Sequence, residues 1–186
     1  MKFIEVLPLG DPDRKLLREL VPAIWDAFHV PVEVRECGID LPPFFDEERG
    51  QYNSTRILRH IKEHRPVSHH LPASLKEDDV TMLAVLPHDL FIPILTFVFG
   101  EAELKGTAAV VSYHRLENQR YGLAPDHTLL SQRLRKEALH ELGHTLGLLH
   151  CPSQQCVMRS STNVEEIDLK GGDFCGECRD DMNPGR

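Results

Sequence analysis

Between positions 140 and 150 the chain reads His140-Glu141-Leu-Gly-His144-Thr-Leu-Gly147-Leu-Leu-His150, a spacing that a helix followed by a sharp reversal can use. On a helix, residues four apart share a face, so His140 and His144 present their imidazoles together. Glu141 then projects about 100° away from His140, beside the pair rather than between them. His150 cannot join them from a continued helix, where it would stand about 240° around the axis from His144 and about 9 Å along it. Gly147 supplies the escape. A glycine takes positive φ at little cost, ends the helix and lets the chain turn back under the two histidines.

Three neutral imidazoles brought together in this way suit a zinc ion and leave its fourth position for water. Zinc lowers the pKa of that water and polarises a carbonyl, while Glu141 stands where it can take the water's proton and return it to a leaving amine. The expected metal ligands are therefore His140, His144 and His150, with Glu141 as general base and peptide hydrolysis as the reaction. The plainer alternative, a helix with partly buried histidines, explains none of the five positions.

A second cluster follows at once. Cys151 and Cys156 precede Cys175-Gly-Glu-Cys178, and only Cys37 among the five cysteines stands apart. The last pair has the spacing of a structural zinc knuckle, and four residues between the first pair lie within the usual range. Four thiolates around one ion form a closed site with no room for a reactive water. Two disulfides are the alternative, but they need an oxidising compartment that the N-terminus, which lacks an apolar leader, does not suggest. Two zinc ions per chain are expected, with Cys37 a spare thiol.

The remaining chain reads as sheet and helices. Ile4 and Val6 suggest a strand, and Gly10-Asp11-Pro12 a turn, N-cap and first helical residue. Leu16, Leu17, Leu20, Val21, Ile24 and Phe28 recur at helical spacing. A strand at 30–34 completes a parallel unit of right-handed connection. Further strands are expected at 80–86, 96–104 (broken at Gly100) and 108–113. Helices are expected at 54–64 and about 131–148, with loops at 37–51 and 118–127 and a linker at 66–76.

Composition excludes some classes. Of 186 residues, 21 are Lys or Arg and 29 are Asp or Glu, a formal charge of -8, so no nucleic-acid partner is expected. No apolar stretch is long enough to span a bilayer, so no membrane partner is expected either. The default location is the cytoplasm, and a monomer is favoured.

Together the two metal segments resemble the archaemetzincins, of the metzincin clan of zinc peptidases. Their signature is His-Glu-x-x-His-x-x-Gly-x-x-His-Cys-x4-Cys-x-Met, then Cys-x-x-Cys after about seventeen residues. Here it runs from His140 through Cys156 and Met158, with sixteen residues before Cys175. The resemblance implies an α+β, metzincin-like zincin with a twisted, mostly parallel sheet, an antiparallel edge strand and an active-site helix. It also implies a small C-terminal zinc-bound subdomain, so that 1–147 is the upper part and 148–186 the lower. Met158 would form the Met-turn under the metal, and 96–104 is the candidate edge strand against which an extended peptide or protein substrate lies. No tyrosine follows the turn to serve as a further ligand, since the three stand at 52, 113 and 121.

Two other readings compete. A frame that keeps its metals but only binds peptides would be catalytically silent, with 118–131 or 66–76 covering the ion. A single-strand-specific zinc endoribonuclease shares the ligand spacing but carries glycine where this chain has Glu141. Cleavage inside a peptide or at its end is left open; Glu101 and Glu103 would suit a free amine or form a solvated face.

Overall fold

The computed structural model describes residues 1–64 and 75–182. The element order is β1 (Phe3–Pro8), α1 (Arg14–Phe28), β2 (Val32–Val34), β3 (Phe45–Asp46), β4 (Gln51–Asn53), α2 (Ser54–Glu63), β5 (Val80–Leu86), β6 (Leu90–Phe91), β7 (Gly100–Ala102), β8 (Ala108–Ser112), α3 (His127–Thr145), α4 (Val164–Leu169) and α5 (Gly176–Met182). Most of the expected 66–76 linker, with His69 and His70, lies outside the described residues.

The main sheet has the order β2-β1-β5-β8-β7. Pairings β1·β2, β1·β5 and β5·β8 are parallel, and β7 runs antiparallel to β8 at one edge. This is the expected α+β architecture. Strands β1, β5 and β8 are buried at every residue, Glu5, Thr81 and Ser112 included, because layers cover both faces of the sheet. Ile4, Val6, Leu83, Val85, Ala109 and Val111 face a core shared with α1 and α3. Leu7, Met82, Ala84, Leu86, Ala108 and Val110 face a second core closed by Ile57 and Ile61 of α2.

The first core also contains Leu148, Cys151, Cys156, Val157, Met158, Ile167, Phe174 and Cys178. The C-terminal segment is thus packed onto the same face of the sheet as α3. Three basic side chains of α3 hold it there. Arg133 grips Asp168 through two nitrogens at 2.6 and 2.7 Å, Arg135 donates to Gly172 O, and Lys136 donates to Ile167 O and Lys170 O.

Several local readings are corrected. The N-cap of α1 is Asp13, whose side chain accepts from Lys15 N, rather than Asp11. Gly10 and Asp11 both have positive φ, 65° and 57°, so the turn takes up Asp11 as well and the helix starts at Arg14 instead of Pro12. Residues 37–51 are not all loop, since β3 and the start of β4 form a small sheet with β6. The expected strand at 96–104 shrinks to Gly100–Ala102, and Gly100 opens it instead of breaking it. Helix α3 starts earlier and ends earlier than 131–148, capped by Asp126. Among the described residues no helix is long and apolar enough to cross a membrane.

Candidate active site

Helix α3 carries His140 and His144 on one face, and Gly147 ends it. Its φ is +93°, its N–H donates to His144 O at 2.8 Å, and Leu148 N–H donates to Gly143 O at 3.1 Å. That pair of bonds closes the helix in a Schellman turn, a geometry in which the left-handed residue is normally glycine. The chain then reverses and brings His150 to the other two. Ring centroids of His150 lie 5.2 Å from His140 and 5.1 Å from His144, and one ligand atom from each of the three falls within 4.8 Å of the others.

Backbone carbonyls orient the first two rings. His140 Nδ1 lies 2.9 Å from Val157 O and His144 Nδ1 lies 2.7 Å from Leu148 O. A carbonyl only accepts, so each Nδ1 carries the proton and each Nε2 keeps its lone pair. The two Nε2 atoms are 3.0 Å apart. Burial, reinforced at His140 by the positive charge of Lys170, keeps both imidazoles below the usual pKa and hence neutral.

Glu141 is on the adjacent face of α3, against the edge strand. A Cβ at Gly100 would lie 2.7 Å from Glu141 Cγ, Glu141 Oε1 and Val110 O. Only a residue without a side chain lets β7 approach the carboxylate this closely. Burial, and then the charge of Glu137, raises the Glu141 carboxyl well above the ordinary carboxylate range. A cavity of about 470 Å³ opens over this region, lined by the three histidines, Glu137, Glu141, residues 95–102 and residues 160–162. None of residues 118–131 lines it.

Met158 is fully buried, and its Sδ lies under α3, 2.4 Å from where a Cβ on Gly143 would stand. Gly143 was not singled out from sequence, and Gly100 was read only as a strand break. The available signal at 143 was a glycine inside a strong helix, which costs about 1 kcal/mol against alanine and so points to close packing.

The four clustered cysteines also converge, while Cys37 lies elsewhere, its Sγ 3.9 Å from Pro8 O. All five are free. Sγ of Cys151 is 3.8 Å from that of Cys175, and Cys156 Sγ is 3.6 Å from Cys178 Sγ, with Cys175 N–H donating to Cys156 Sγ. The two acidic side chains considered for a free amine are engaged internally. Glu101 accepts from Ser54 Oγ at 2.5 Å and Thr55 Oγ1 at 3.0 Å, and Glu103 pairs with Lys62.

A mostly parallel sheet with an antiparallel edge strand beside a helix bearing this motif defines the class: a zinc-dependent metallopeptidase of the metzincin type. The model of peptidase family M54 matches residues 31–183. An archaemetzincin of Methanocaldococcus jannaschii is 36% identical over 174 residues, 93% of this chain and 88% of that protein. A zinc-dependent peptidase of Methanocorpusculum labreanum superposes with a TM-score of 0.87 at 32% identity, covering 97% of this chain and 100% of that one. For the archaemetzincin of Archaeoglobus fulgidus the values are 0.76, 35%, 96% and 99%. The chain belongs to peptidase family M54, the archaemetzincins.

Proposed function

We propose that the protein hydrolyses peptide bonds at a zinc ion held by His140, His144 and His150, with Glu141 as general base, and that a second, structural zinc is held by Cys151, Cys156, Cys175 and Cys178. The observation that carries the reading is the 3.0 Å approach of two Nε2 lone pairs, each forced toward the other by an Nδ1–H bonded to a carbonyl. Two lone pairs that close repel unless a cation lies between them. The sulfur separations of 3.6 and 3.8 Å likewise fit a tetrahedron with metal–sulfur bonds of about 2.3 Å, whose edges are about 3.8 Å.

Zinc at the histidines would polarise the substrate carbonyl and acidify water beside it. Glu141 would take that water's proton as the water oxygen bonds to the carbonyl carbon, and would pass it to the amine nitrogen as the C–N bond breaks. Gly100 keeps the edge strand close enough for an extended peptide to lie past Glu141. Met158 underlies the helix that carries two ligands. The cysteine site pins the chain immediately after His150 and so fixes that histidine. In this reading 1–147 supplies the sheet, helix and base, and 148–186 the third ligand, the Met-turn and the structural metal.

The test is digestion of a mixed peptide pool by zinc-loaded protein, with cut positions read by mass spectrometry. Cleavage abolished by a chelator and restored by zinc is expected, and the positions separate internal from terminal cutting. A protein carrying both metals that binds peptides and cuts none contradicts the reading.

A further inference from the structure

Three consecutive carbonyls around Met158 are each taken by a different part of the chain. Val157 O accepts from the His140 ring at 2.9 Å, Met158 O from Cys151 N–H at 3.0 Å, and Arg159 O from Lys170 Nζ at 3.2 Å. The first bond orients one histidine, and the second holds the residue that directly follows another, His150. The turn from Val157 to Arg159 is therefore a junction through which two of the three histidines are placed, and Lys170 ties down its far end.

The Lys170 side chain is 0% exposed and does not line the catalytic cavity, so it acts only through what it holds. Its backbone is fixed on three sides. Lys170 N–H donates to Glu166 O at 3.0 Å, its carbonyl accepts from Lys136 Nζ at 2.8 Å, and Gly171 N–H donates to Gln154 O at 2.9 Å. Glu137, one helical turn before His140, balances the ammonium, with its Oε1 2.7 Å from Nζ and its side chain 5% exposed. Apolar residues of similar size often fill the place of a buried ion pair with no loss of stability, so stability alone does not account for this one. What an apolar pair cannot supply is a donor for Arg159 O. We propose that Lys170 is a positioning residue for the histidine metal site: braced by Glu137, its ammonium fixes Arg159 O beside α3 and so sets the turn that orients His140 and anchors the chain after His150. The inference rests on the three-histidine metal reading of the site.

Removing the ammonium alone would leave Glu137 buried and unpaired, so the test uses two paired variants. Glu137→Leu with Lys170→Met removes both charges and the donor but keeps the bulk. Glu137→Asp with Lys170→Arg shortens one side chain, lengthens the other and keeps a buried cation able to donate to Arg159 O. A mild chelator empties the histidine site, and cobalt(II) is titrated back against a competing chelator. Weak visible ligand-field bands report that site, and the absence of intense thiolate charge-transfer bands shows that the cysteine-bound zinc stays in place. The charge-free pair is expected to unfold thermally at or above the wild-type midpoint, yet to bind cobalt about tenfold more weakly and with shifted ligand-field bands. The charge-conserving pair is expected to stay closer to wild type in both. A charge-free pair with wild-type affinity and bands, or two pairs equally weakened, overturns the inference. Wild type that takes no ion at the histidines overturns the metal reading and the inference with it. Weakened binding in a protein that cuts no peptide upholds the inference and overturns only the hydrolytic reading.

Discussion

Met158 Sδ occupies the space that a side chain at position 143 would need, 2.4 Å from an ideal Cβ on Gly143, with Phe174 Cε1 at 3.0 Å on another side. The contact ties the segment after the cysteine pair to the turn of α3 between the two helical histidines. Gly143→Ala gains helix propensity worth about 1 kcal/mol but overpacks a site where such changes cost about 1–3 kcal/mol. A net loss of up to about 2 kcal/mol is expected in urea unfolding of metal-loaded protein. Adding Met158→Ala to Gly143→Ala should cost less than the sum of the single changes, because the cavity of one accommodates the methyl of the other. Strict additivity would separate the two residues.

Gly100→Ala is expected to damage catalysis more than stability. Its new methyl meets Glu141 and also Val110 O, and backbone cannot step aside as a flexible side chain can. The carboxylate must shift by an amount that costs about a hundredfold in rate when positioning matters. Expected is a fall in kcat of that order with metal content unchanged. Unaltered kcat would show that Glu141 does not need its present place.

The histidine site legible in the sequence was the one built from local rules: helical periodicity, a glycine able to take positive φ, and ligand spacing. The first strand, helix and strand were legible for the same reason. What escaped were relations between distant segments. Gly100 looked like a strand break because its role depends on a helix forty residues onward. Strand β7 is only three half-buried residues, too short for an alternation to emerge. Glu137 and Lys170 lie 33 positions apart with no motif to join them, and only the fold buries them together. Glu101 and Glu103 read either as suited to a free amine or as a solvated face, because their partners, Ser54, Thr55 and Lys62, belong to α2, distant in sequence.

Cys175→Ala is expected to reduce zinc from two ions to about one per chain and to loosen the turn that carries His150. Its effect should reach the histidine site, since Cys151 follows His150 directly and Cys151 N–H donates to Met158 O at 3.0 Å. Titration with a competing chelator should show weaker retention of the remaining ion, with lower peptide cleavage. Unchanged affinity and activity would make the cysteine site independent of the catalytic one.

Metal-free protein should lose stability on mild acidification. His140 and His144 are held by burial below the usual value of 6.5. As pH falls below that value the unfolded chain takes up protons that the folded chain refuses, so their contribution is full above it and declines toward the lower folded-state values. Thermal midpoints of chelator-treated protein should therefore drop between about pH 7.5 and about pH 5.5. The stabilisation conferred by zinc should shrink over the same interval as protons compete for the imidazoles. A flat midpoint in the metal-free form would contradict the neutral, desolvated state of these rings.

The most direct measurement pairs metal content with turnover in one preparation of Glu141→Gln. The side chain keeps its size and lies outside the ligand set, so zinc by mass spectrometry should read two ions per chain, as in wild type. Cleavage of a peptide that wild type cuts should fall by about a hundredfold to ten-thousandfold, the usual range for a lost general base. Wild-type cleavage by a Glu141→Gln protein carrying both ions would contradict the assigned chemistry.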